Sequence, residues 1–240
     1  MQNGGFHYVG GELDLFAEAG NWRAYWTGMV QPFVGSAVLE VGAGIGSATR
    51  ALWAPGRGSW LALEPDRTLF ARLSETVASG GLAGVEPRCA TSAELDGRET
   101  FDTALYIDVM EHIEDDVAEM ARLVPHLRQG AHVIVLAPAH RFLFTPFDAA
   151  IGHVRRYDSD SMARLTLPGL RPVCLRYLDS VGMLASLGNR LLLRADRPTR
   201  GQIALWNGWM VPASRRLDAL LGFRIGKSIL GVWRRVKEGA

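Results

Sequence analysis

The chain has 240 residues, 48% of them hydrophobic and 21% charged, which provides enough apolar material to bury a substantial core in an ordinary globular protein. Two cysteines are too few for a disulfide framework, and no apolar run approaches the roughly 18 residues of a membrane span. The first residues also lack the basic start and apolar centre of a signal peptide, so we expect a cytoplasmic protein.

Charge is distributed unevenly along the chain, although the net charge is only +1. Residues 187–240 carry 11 Lys and Arg against 3 Asp and Glu, whereas residues 1–186 carry 15 against 22. The excess of +8 in the carboxyl-terminal segment therefore nearly cancels the −7 of the rest. Such a segment is typical either of a solvated basic face or of contact with an acidic surface.

Apolar runs typical of buried β-strands come first in the chain, at residues 37–41, 60–64, 85–90, 103–108 and 132–138. Segments with helical spacing separate them. The clearest runs from Ile113 to Leu127 and is followed by Gly130 as a stop signal. Strands that alternate with helices predict a parallel sheet covered on both faces, with ligands bound beyond the carboxyl ends of the strands.

Two further strand candidates, residues 171–177 and 228–235, follow without this alternation. About fifty residues separate them. This interval contains an amphipathic run with an apolar face built on Trp206, Met210, Ala213, Leu217 and Leu220.

Gly42, Gly44 and Gly46 lie between the first strand and the helix start "SATRALW". Glycine permits a positive φ and lets a ligand approach the backbone without meeting a Cβ, so this turn is a candidate ligand site. A dinucleotide site would follow the pattern G-x-G-x-x-G, which would require a third glycine where Ser47 stands.

Two carboxylates near this turn indicate the ligand. Glu40 suits a ligand with a positively charged amino group and does not suit a pyrophosphate. Glu64 ends the second strand and is placed to accept hydrogen bonds from two ribose hydroxyls. An amino acid joined to a nucleoside satisfies both residues.

These motifs resemble those of the class I S-adenosylmethionine-dependent methyltransferase family, in particular bacterial enzymes that act on small molecules. "VLEVGAGIGSATR" resembles the first motif, "LALEPD" the acidic second motif, "FDTALYIDVMEHIEDD" the fourth-strand motif, and "LVPHLRQGAHVIVLAP" the helix and strand that follow. The resemblance implies S-adenosylmethionine as the cofactor. It also implies a Rossmann-like, doubly wound α/β sheet of seven strands with the last strand antiparallel.

The resemblance further assigns cofactor contacts beside Glu40. It places Gly42, Gly44 and Gly46 at the methionine part of the cofactor, Glu64 at the ribose, Asp66 and Ser92 near the adenine, and Asp108 and Val109 at the methionine end. Ordinary turn chemistry is an equal alternative for Asp66 and Ser92. His112 would lie near the mouth of the site as a substrate contact, or be a surface residue at a helix start.

The segment "FAEAGNWRAYWTGMVQPFV" resembles the leading helix that related bacterial enzymes fold over the cofactor. Tyr25 and Trp26 would then wall the substrate site, although aromatic residues at helical spacing more often belong to the core. We therefore predict a single domain over residues 1–240. It comprises a helical cap (1–35), a cofactor-binding core (36–140), and a region of acceptor loop, lid and final strands (141–240).

The acceptor loop is predicted at residues 141–162, which resemble the Gly-His-x-Arg-Arg-Tyr segment of some bacterial relatives. Histidine is a residue type suited to proton transfer near neutral pH, so His153 is the first candidate for a general base, with Asp148 second. Arg156 and Tyr157 would order the loop or hold an acidic group of the substrate. The alternative is that His153 and the arginines only cap the predicted helix "DSDSM".

The motif after the fourth strand limits the acceptor. Enzymes that methylate amino groups of DNA bases or of protein glutamine carry Asn/Asp-Pro-Pro-Tyr/Phe where this chain has "DVMEH". We therefore expect a small-molecule acceptor, methylated on oxygen or carbon, with no nucleic-acid partner and no metal. Two alternatives stay open: a non-catalytic binding subunit with this fold and, disfavoured by Ser47, a nicotinamide-dependent oxidoreductase.

The segment of residues 187–237 places leucines and tryptophans among arginines. This pattern suits a helical lid, inserted between the last two strands, that covers an apolar or lipid-like acceptor. Its basic rim predicts at most weak peripheral contact with an anionic membrane. The oligomeric state stays open.

Overall fold

The computed structural model describes residues 12–188 and 199–237, and this part of the chain forms a seven-stranded sheet in the order β3-β2-β1-β4-β5-β7-β6. The strands are β1 (Ala37–Val41), β2 (Ser59–Leu63), β3 (Val85–Arg88), β4 (Phe101–Ile107), β5 (Leu127–Pro138), β6 (Leu170–Leu178) and β7 (Ser228–Arg235). All seven strands overlap the runs that the sequence predicts.

The helices alternate with the first five strands and then become more frequent. They are α1 (Glu12–Ala17), α2 (Gly20–Val30), α3 (Ser47–Leu52), α4 (Arg67–Ser79), α5 (Asp116–Leu123), α6 (Pro146–Ala150), α7 (Ser159–Ala163), α8 (Ser180–Gly188), α9 (Arg200–Leu205) and α10 (Val211–Leu220). None of the helices in the described ranges is long and apolar enough to cross a membrane.

Strands β1 to β5 run parallel, as the alternation of strands and helices predicts. Strand β7 lies between β5 and β6 and is antiparallel to both, with Ala137 opposite Ile229 on one side and Tyr177 opposite Ile229 on the other. The carboxyl ends of β1, β2, β4 and β5 therefore meet at one edge. The Rossmann-like α/β architecture with an antiparallel last strand is confirmed.

The core lies in two layers, one on each face of the sheet, because neighbouring residues of a strand point to opposite faces. Leu39 and Tyr106 belong to the layer that α5 covers with Met120. Val38 and Leu105 belong to the layer that contains side chains of α2, α3 and α4. Both faces of the central strands are buried, so these strands are apolar throughout.

The helix predicted between the fourth and fifth strands is shorter than its apolar spacing indicates. It ends at Leu123, and a 3-10 turn over Val124–His126 contains Pro125, which cannot donate the next helical hydrogen bond. Gly130 does not stop this helix, which was a wrong prediction. It lies within β5 with φ of 82°, close to an irregularity in the pairing of β5 with β4.

A helical insertion between β6 and β7 contains α8, α9 and α10, as the lid prediction requires. A π-helical turn over Trp206–Met210 joins α9 to α10. The buried face of α10 is Val211, Ser214 and Asp218, whereas Leu220 from the predicted apolar face is 83% exposed. The predicted lid residues 189–198 lie outside the described residues.

Candidate active site

A cavity of about 1330 Å³ lies at the carboxyl ends of the central strands. Residues of α1 and α2 form one wall, and residues of α8, α9 and the π turn form another. Small-molecule pockets typically measure about 300–1,000 Å³, so this cavity has room for two ligands side by side. The cap and the lid predicted from the sequence therefore enclose the same space.

Gly42 and Gly44 of the glycine turn line the floor of this cavity, whereas Gly46 is not part of its wall. Gly42, Gly44 and Gly46 all have positive φ, at 68°, 58° and 83°. A Cβ on Gly42 would lie 2.6 Å from Cγ2 of Val109, so only glycine allows this close approach between the loops after β1 and β4. A Cβ on Gly44 would meet a first neighbour only at 3.9 Å, which leaves its backbone open to the cavity.

Glu64 lies beside the turn at the end of β2 and is buried. Its Oε2 accepts a hydrogen bond of 2.8 Å from the Gly44 amide, and its Oε1 accepts one of 2.9 Å from the Asp66 amide. Burial raises the pKa of Glu64, against the effect of these two hydrogen bonds. The turn and this carboxylate thus hold each other in place.

Glu40 points into the same end of the cavity from within β1. Its Oε2 accepts hydrogen bonds from the hydroxyl of Thr49 at 2.7 Å and from the indole of Trp60 at 2.8 Å. Burial nevertheless raises the pKa of Glu40 to about 7. A cationic group in the cavity would stabilise the ionised form of this carboxylate.

Asp108 follows β4 in the left-handed region, with φ of 54°, and its amide donates to the carbonyl of Leu136 at 2.8 Å. A non-glycine residue in this region is uncommon and is found at functional sites. Burial raises the pKa of Asp108 to about 6, although the charges of His153 and Lys227 oppose this shift. Asp108 and the adjacent Val109 line the centre of the cavity.

Three side chains that bear chemistry meet beyond Asp108. Glu111 and His112 come from the 3-10 turn after β4, and His153 comes from the loop after α6. The rings of His112 and His153 lie edge to face with centroids 4.7 Å apart. Nε2 of His153 lies 3.8 Å from Oε1 of Glu111. Burial, followed by the charge of His153, lowers the pKa of His112 to about 4.

Asp148 contacts the Nδ1 side of the His153 ring. Its Oδ1 lies 3.0 Å from Nδ1 of His153 and 2.8 Å from a guanidinium nitrogen of Arg156. Its Oδ2 accepts hydrogen bonds from the amide and the hydroxyl of Thr145, both at 2.7 Å. Burial acts to raise the pKa of Asp148, but His153 and Arg156 outweigh it and hold the value at about 2. Asp148 is therefore ionised at neutral pH and is a weak base.

A sequence model described as a methyltransferase domain matches residues 38–130, which include the glycine turn, Glu64 and the residues after β4. Over these residues the chain matches a methyltransferase domain of the class I S-adenosylmethionine-dependent family. S-adenosylmethionine is the cofactor of this family. No curated protein matches the full sequence.

Solved structures share the fold of this methyltransferase domain at low sequence identity. Coclaurine N-methyltransferase, bound to N-methylheliamine and SAH, has a TM-score of 0.62 at 12% identity, with 89% of this chain and 72% of that chain covered. The O-MT region of StiE has a TM-score of 0.57 at 16% identity, with 90% and 73% covered. The [4+2]-cyclase SpnF has a TM-score of 0.61 at 16% identity, with 88% and 80% covered.

The residues at the floor of the cavity fit the cofactor of the family. Within the described residues each oxygen of Glu64 accepts one backbone hydrogen bond, and a carboxylate can accept about four in all, so two ribose hydroxyls can be added. The open backbone at Gly44 and the carboxylate of Glu40 suit the amino acid part of the same molecule. Ser92 and Val109 also line the cavity.

Four residues predicted to contact ligands are not part of the cavity wall. The first is Gly46, where a Cβ would lie 3.0 Å from the side chains of Leu73 and Thr76 in α4. Asp66 caps α4 by accepting hydrogen bonds from the amides of Thr68 and Leu69, and it is not part of the cavity wall. The hydroxyl of Tyr25 donates to Asp218, which ties α2 to α10. The hydroxyl of Tyr157 donates to Asp116 from a fully buried position. Asp66 thus follows the alternative of turn chemistry and Tyr25 that of core packing, whereas Tyr157 takes its alternative role of ordering the loop.

The other predicted substrate residues do reach the cavity. Trp26, His112 and Arg156 line it, as do the two candidate bases His153 and Asp148. The alternative role for the loop, capping of α7, is filled by Asp158, whose side chain accepts from the amide of Ser161. The histidine and the arginines are therefore not needed for that cap.

Sequence reasoning missed three cavity residues. Glu111 lies within "DVMEH" and is fully buried, but its position in a short turn gives no periodic signal. Lys227 precedes β7 and also lines the cavity. Its Nζ lies 4.2 Å from the ring centroid of Trp206 and 3.9 Å from Oδ2 of Asp179. Trp22 lies one helical turn before Trp26, so the spacing of four residues could have indicated it.

Proposed function

We propose that this protein transfers a methyl group from S-adenosylmethionine to a small-molecule acceptor with an apolar body, on oxygen or carbon. One observation carries the proposal: a single cavity joins the glycine turn and Glu64 to the cluster of Glu111, His112 and His153. The lid wall over this cavity includes Ile203 and Trp206, which suit an apolar acceptor.

The residues at the cofactor end of the cavity would bind and orient S-adenosylmethionine. Backbone at Gly42 and Gly44, with Glu64, would hold the nucleoside and methionine parts, and Glu40 would face the amino group. When bound, S-adenosylmethionine supplies an electrophilic methyl group on its sulfonium. The residues of this chain position the acceptor in line with that group and exclude water, and positioning alone accounts for a large part of such a rate enhancement.

His153 is the residue best placed to act on an acceptor hydroxyl. With Nδ1 held by the ionised Asp148, the imidazole can keep a proton on Nδ1 and present the lone pair of Nε2 to the cavity. The hydroxyl proton would pass to Nε2 as the oxygen receives the methyl group. Asp148 orients the ring in this scheme. Its low pKa argues against the alternative role as the base itself.

The fold leaves the acceptor and the atom methylated open, since similar folds occur in an N-methyltransferase, an O-MT region and a cyclase. The residues after β4 read "DVMEH", which argues against nucleic-acid bases as substrates. Ser47 at the position of a third glycine argues against a nicotinamide cofactor. A non-catalytic binding subunit is the remaining alternative.

Incubation of the purified protein with S-adenosylmethionine and a metabolite extract tests the proposal. We expect S-adenosylhomocysteine to accumulate, together with an extract component whose mass rises by one methyl group in place of hydrogen. Binding of the cofactor without turnover on any fraction would support the non-catalytic subunit. Binding of a nicotinamide dinucleotide in preference to S-adenosylmethionine would contradict the cofactor assignment.

A further inference from the structure

Glu111, His112 and His153 together have the composition of a metal site. One candidate ligand atom from each of the three lies within 4.8 Å of the other two. Two imidazoles and one carboxylate form the protein ligand set of several catalytic zinc sites, where the remaining coordination positions stay open to water or substrate. The three residues come from two loops that are forty residues apart in sequence, so the fold assembles this set.

The histidines are held in the way that metal ligands usually are. Nδ1 of His153 lies 3.0 Å from Oδ1 of Asp148, and Nδ1 of His112 lies 3.2 Å from the carbonyl oxygen of Gly152. At His153 the Asp148 oxygen favours the tautomer with the proton on Nδ1, which leaves the lone pair on Nε2, the nitrogen that lies 3.8 Å from Oε1 of Glu111. Metal-binding histidines almost always donate their other ring N–H to such an oxygen.

Glu111 provides a second, independent observation. Its side chain is fully buried, and within the described residues neither carboxylate oxygen has a hydrogen-bond partner of acceptable geometry. Burial of an unpaired carboxylate is costly, and buried charges are normally paired or coordinated to a metal. The nearby guanidinium of Arg156 is already engaged by Asp148. A cation between Glu111 and His153 would supply the missing partner.

We propose that Glu111, His112 and His153 bind one first-row divalent metal ion, with Zn²⁺ as the reference ion, at the acceptor end of the cavity. Imidazole ligands favour such an ion over Mg²⁺ or Ca²⁺, which prefer oxygen ligands. Ligands about 2.1 Å from a shared ion lie about 3 to 3.5 Å apart, so the side chains must close by roughly an ångström. This site replaces the expectation of no metal.

The consequence for the substrate rests on the proposed methyl transfer. With three protein ligands, the ion would keep open coordination positions, and its site lies in the same cavity that Asp108 and Val109 line. An acceptor with an oxygen at or beside the methylated position would occupy one of them, so the site selects hydroxylated or carbonyl-bearing acceptors. In the metal-bound protein His153 would act as a ligand in place of its role as the base, because its Nε2 lone pair cannot also accept a proton. The ion would lower the pKa of a coordinated acceptor hydroxyl, whose proton would then pass to solvent before the oxygen receives the methyl group.

Calorimetric titration of Zn²⁺ into the untagged, chelator-treated full chain tests the site without any acceptor. We expect one Zn²⁺ per chain with roughly micromolar or tighter affinity, and weaker binding of Mg²⁺. Loss of a group that hydrogen-bonds a metal ligand typically costs about 10–100-fold in metal affinity, so Asp148→Asn should fall in that range. His112→Ala or His153→Ala should lose roughly 100-fold or more. Glu111→Gln keeps the shape of the side chain and should also weaken binding.

His132→Ala is the matched control, because His132 lies in β5 away from the cavity wall and its loss should leave Zn²⁺ binding unchanged. Thermal unfolding of each variant identifies any that fail to fold. The proposal is overturned if the wild type binds no Zn²⁺, or if the folded His112 and His153 variants bind it as tightly as the wild type. If methyl transfer persists at full rate in the metal-free protein, the proposed function holds and the metal has no part in the reaction.

Discussion

Backbone forms most of the cofactor end of the cavity, whereas side chains from distant segments form the acceptor end. At the cofactor end Gly42, Gly44 and Glu64 follow two adjacent parallel strands, and the turn and the carboxylate fix each other by a hydrogen bond. At the acceptor end Glu111 and His153 meet only because the loop after α6 pairs with the turn that follows β4, where the amide of Val154 donates to the carbonyl of Glu111. The proposed cofactor site therefore depends on local geometry, whereas the proposed acceptor site depends on tertiary packing.

The largest expected effect of a substitution is at the acceptor end. His153→Ala should lower turnover by about 10² to 10⁴, because it removes either a proton acceptor or a metal ligand, while cofactor affinity survives. Single-turnover rates with the acceptor found in the extract screen, combined with calorimetry of the cofactor, measure both quantities. Unchanged turnover under conditions where methyl transfer limits the rate would contradict any role of His153 in the chemistry.

Trp206 and Trp209 provide a matched pair within the lid. Trp206 is buried, lines the cavity and donates to Asp179 at 2.7 Å, whereas Trp209 is 78% exposed. Trp206→Ala should cost about 3–5 kcal/mol of stability. The milder Trp206→Phe should raise the KM for the acceptor with little change for the cofactor.

Trp209→Ala should change neither Michaelis constant, because its side chain is not part of the cavity wall. This outcome differs from the sequence-based expectation that both tryptophans cover the acceptor. Equal effects of the two substitutions on the KM for the acceptor would mean that the lid closes further than the structure shows. No effect of Trp206→Phe on a folded protein would exclude the lid from acceptor binding.

The raised pKa of Glu40, at the cofactor end, predicts that the free energy of unfolding depends on pH. Its pKa is about 7 in the folded protein because of burial, against 4.5 for an ordinary glutamate. Between these values the folded state binds more protons than the unfolded state, so the free energy of unfolding falls as pH rises from about 4.5 to 7. The loss amounts to on the order of 3 kcal/mol.

Denaturant unfolding at pH 5 and pH 8 measures this loss. Glu40→Gln should show a smaller difference between the two pH values than the wild type, and the exposed Glu75→Gln should behave as the wild type does. Saturating S-adenosylmethionine should also reduce the difference if its amino group pairs with Glu40. A wild-type stability that rises between these pH values, with no change in Glu40→Gln, would contradict the assignment.

Glu64→Ala should weaken binding of S-adenosylmethionine by roughly ten- to a hundredfold, since charge-assisted hydrogen bonds contribute about 1.5–3 kcal/mol. Calorimetry on the folded variant measures the loss, with the exposed Glu86→Ala as the control. Equal affinity of Glu64→Ala and the wild type would show that the ribose lies elsewhere, and the cofactor end would then be as poorly predicted as the acceptor end.

The smallest expected effect concerns the outer surface of the insertion. Leu184, Trp209 and Leu220 are exposed, and Arg215 and Arg216 lie nearby in α10. We propose weak contact of this surface with anionic lipid, worth about 1 kcal/mol per arginine at low salt. Flotation with anionic vesicles should show it, and Trp209→Ala should reduce it. Equal absence from anionic and neutral vesicles would reject membrane contact and leave the lid unaffected.

Strand positions and the glycine turn were predictable because their signals are local. Each strand is a short apolar run, and β1 and β7 have the bounds read from the sequence. The positive φ of Gly42, Gly44 and Gly46 follows from a residue type that alone adopts it freely. Asp158 caps α7 where the pattern "DSDSM" predicts a helix start.

The orientation of α10 was not predictable from the apolar spacing. The π turn over Trp206–Met210 interrupts the α-helical periodicity, so the face that follows is rotated relative to a continuous helix. The buried face then carries Asp218, which accepts hydrogen bonds from Tyr25 and from the amides of Asp179 and Ser180. A buried polar anchor of this kind gives no hydrophobic signal in a sequence.

The sequence by itself determined the sheet, the glycine turn and the carboxylate beside it, because each depends on neighbouring residues and on backbone geometry. Only the tertiary structure decided which of two adjacent aromatic residues faces the cavity, Trp26 and not Tyr25. It also brought Glu111, His112 and His153 together. Contacts between loops depend on how the helices pack on the sheet, and residue spacing along the chain does not encode that packing directly.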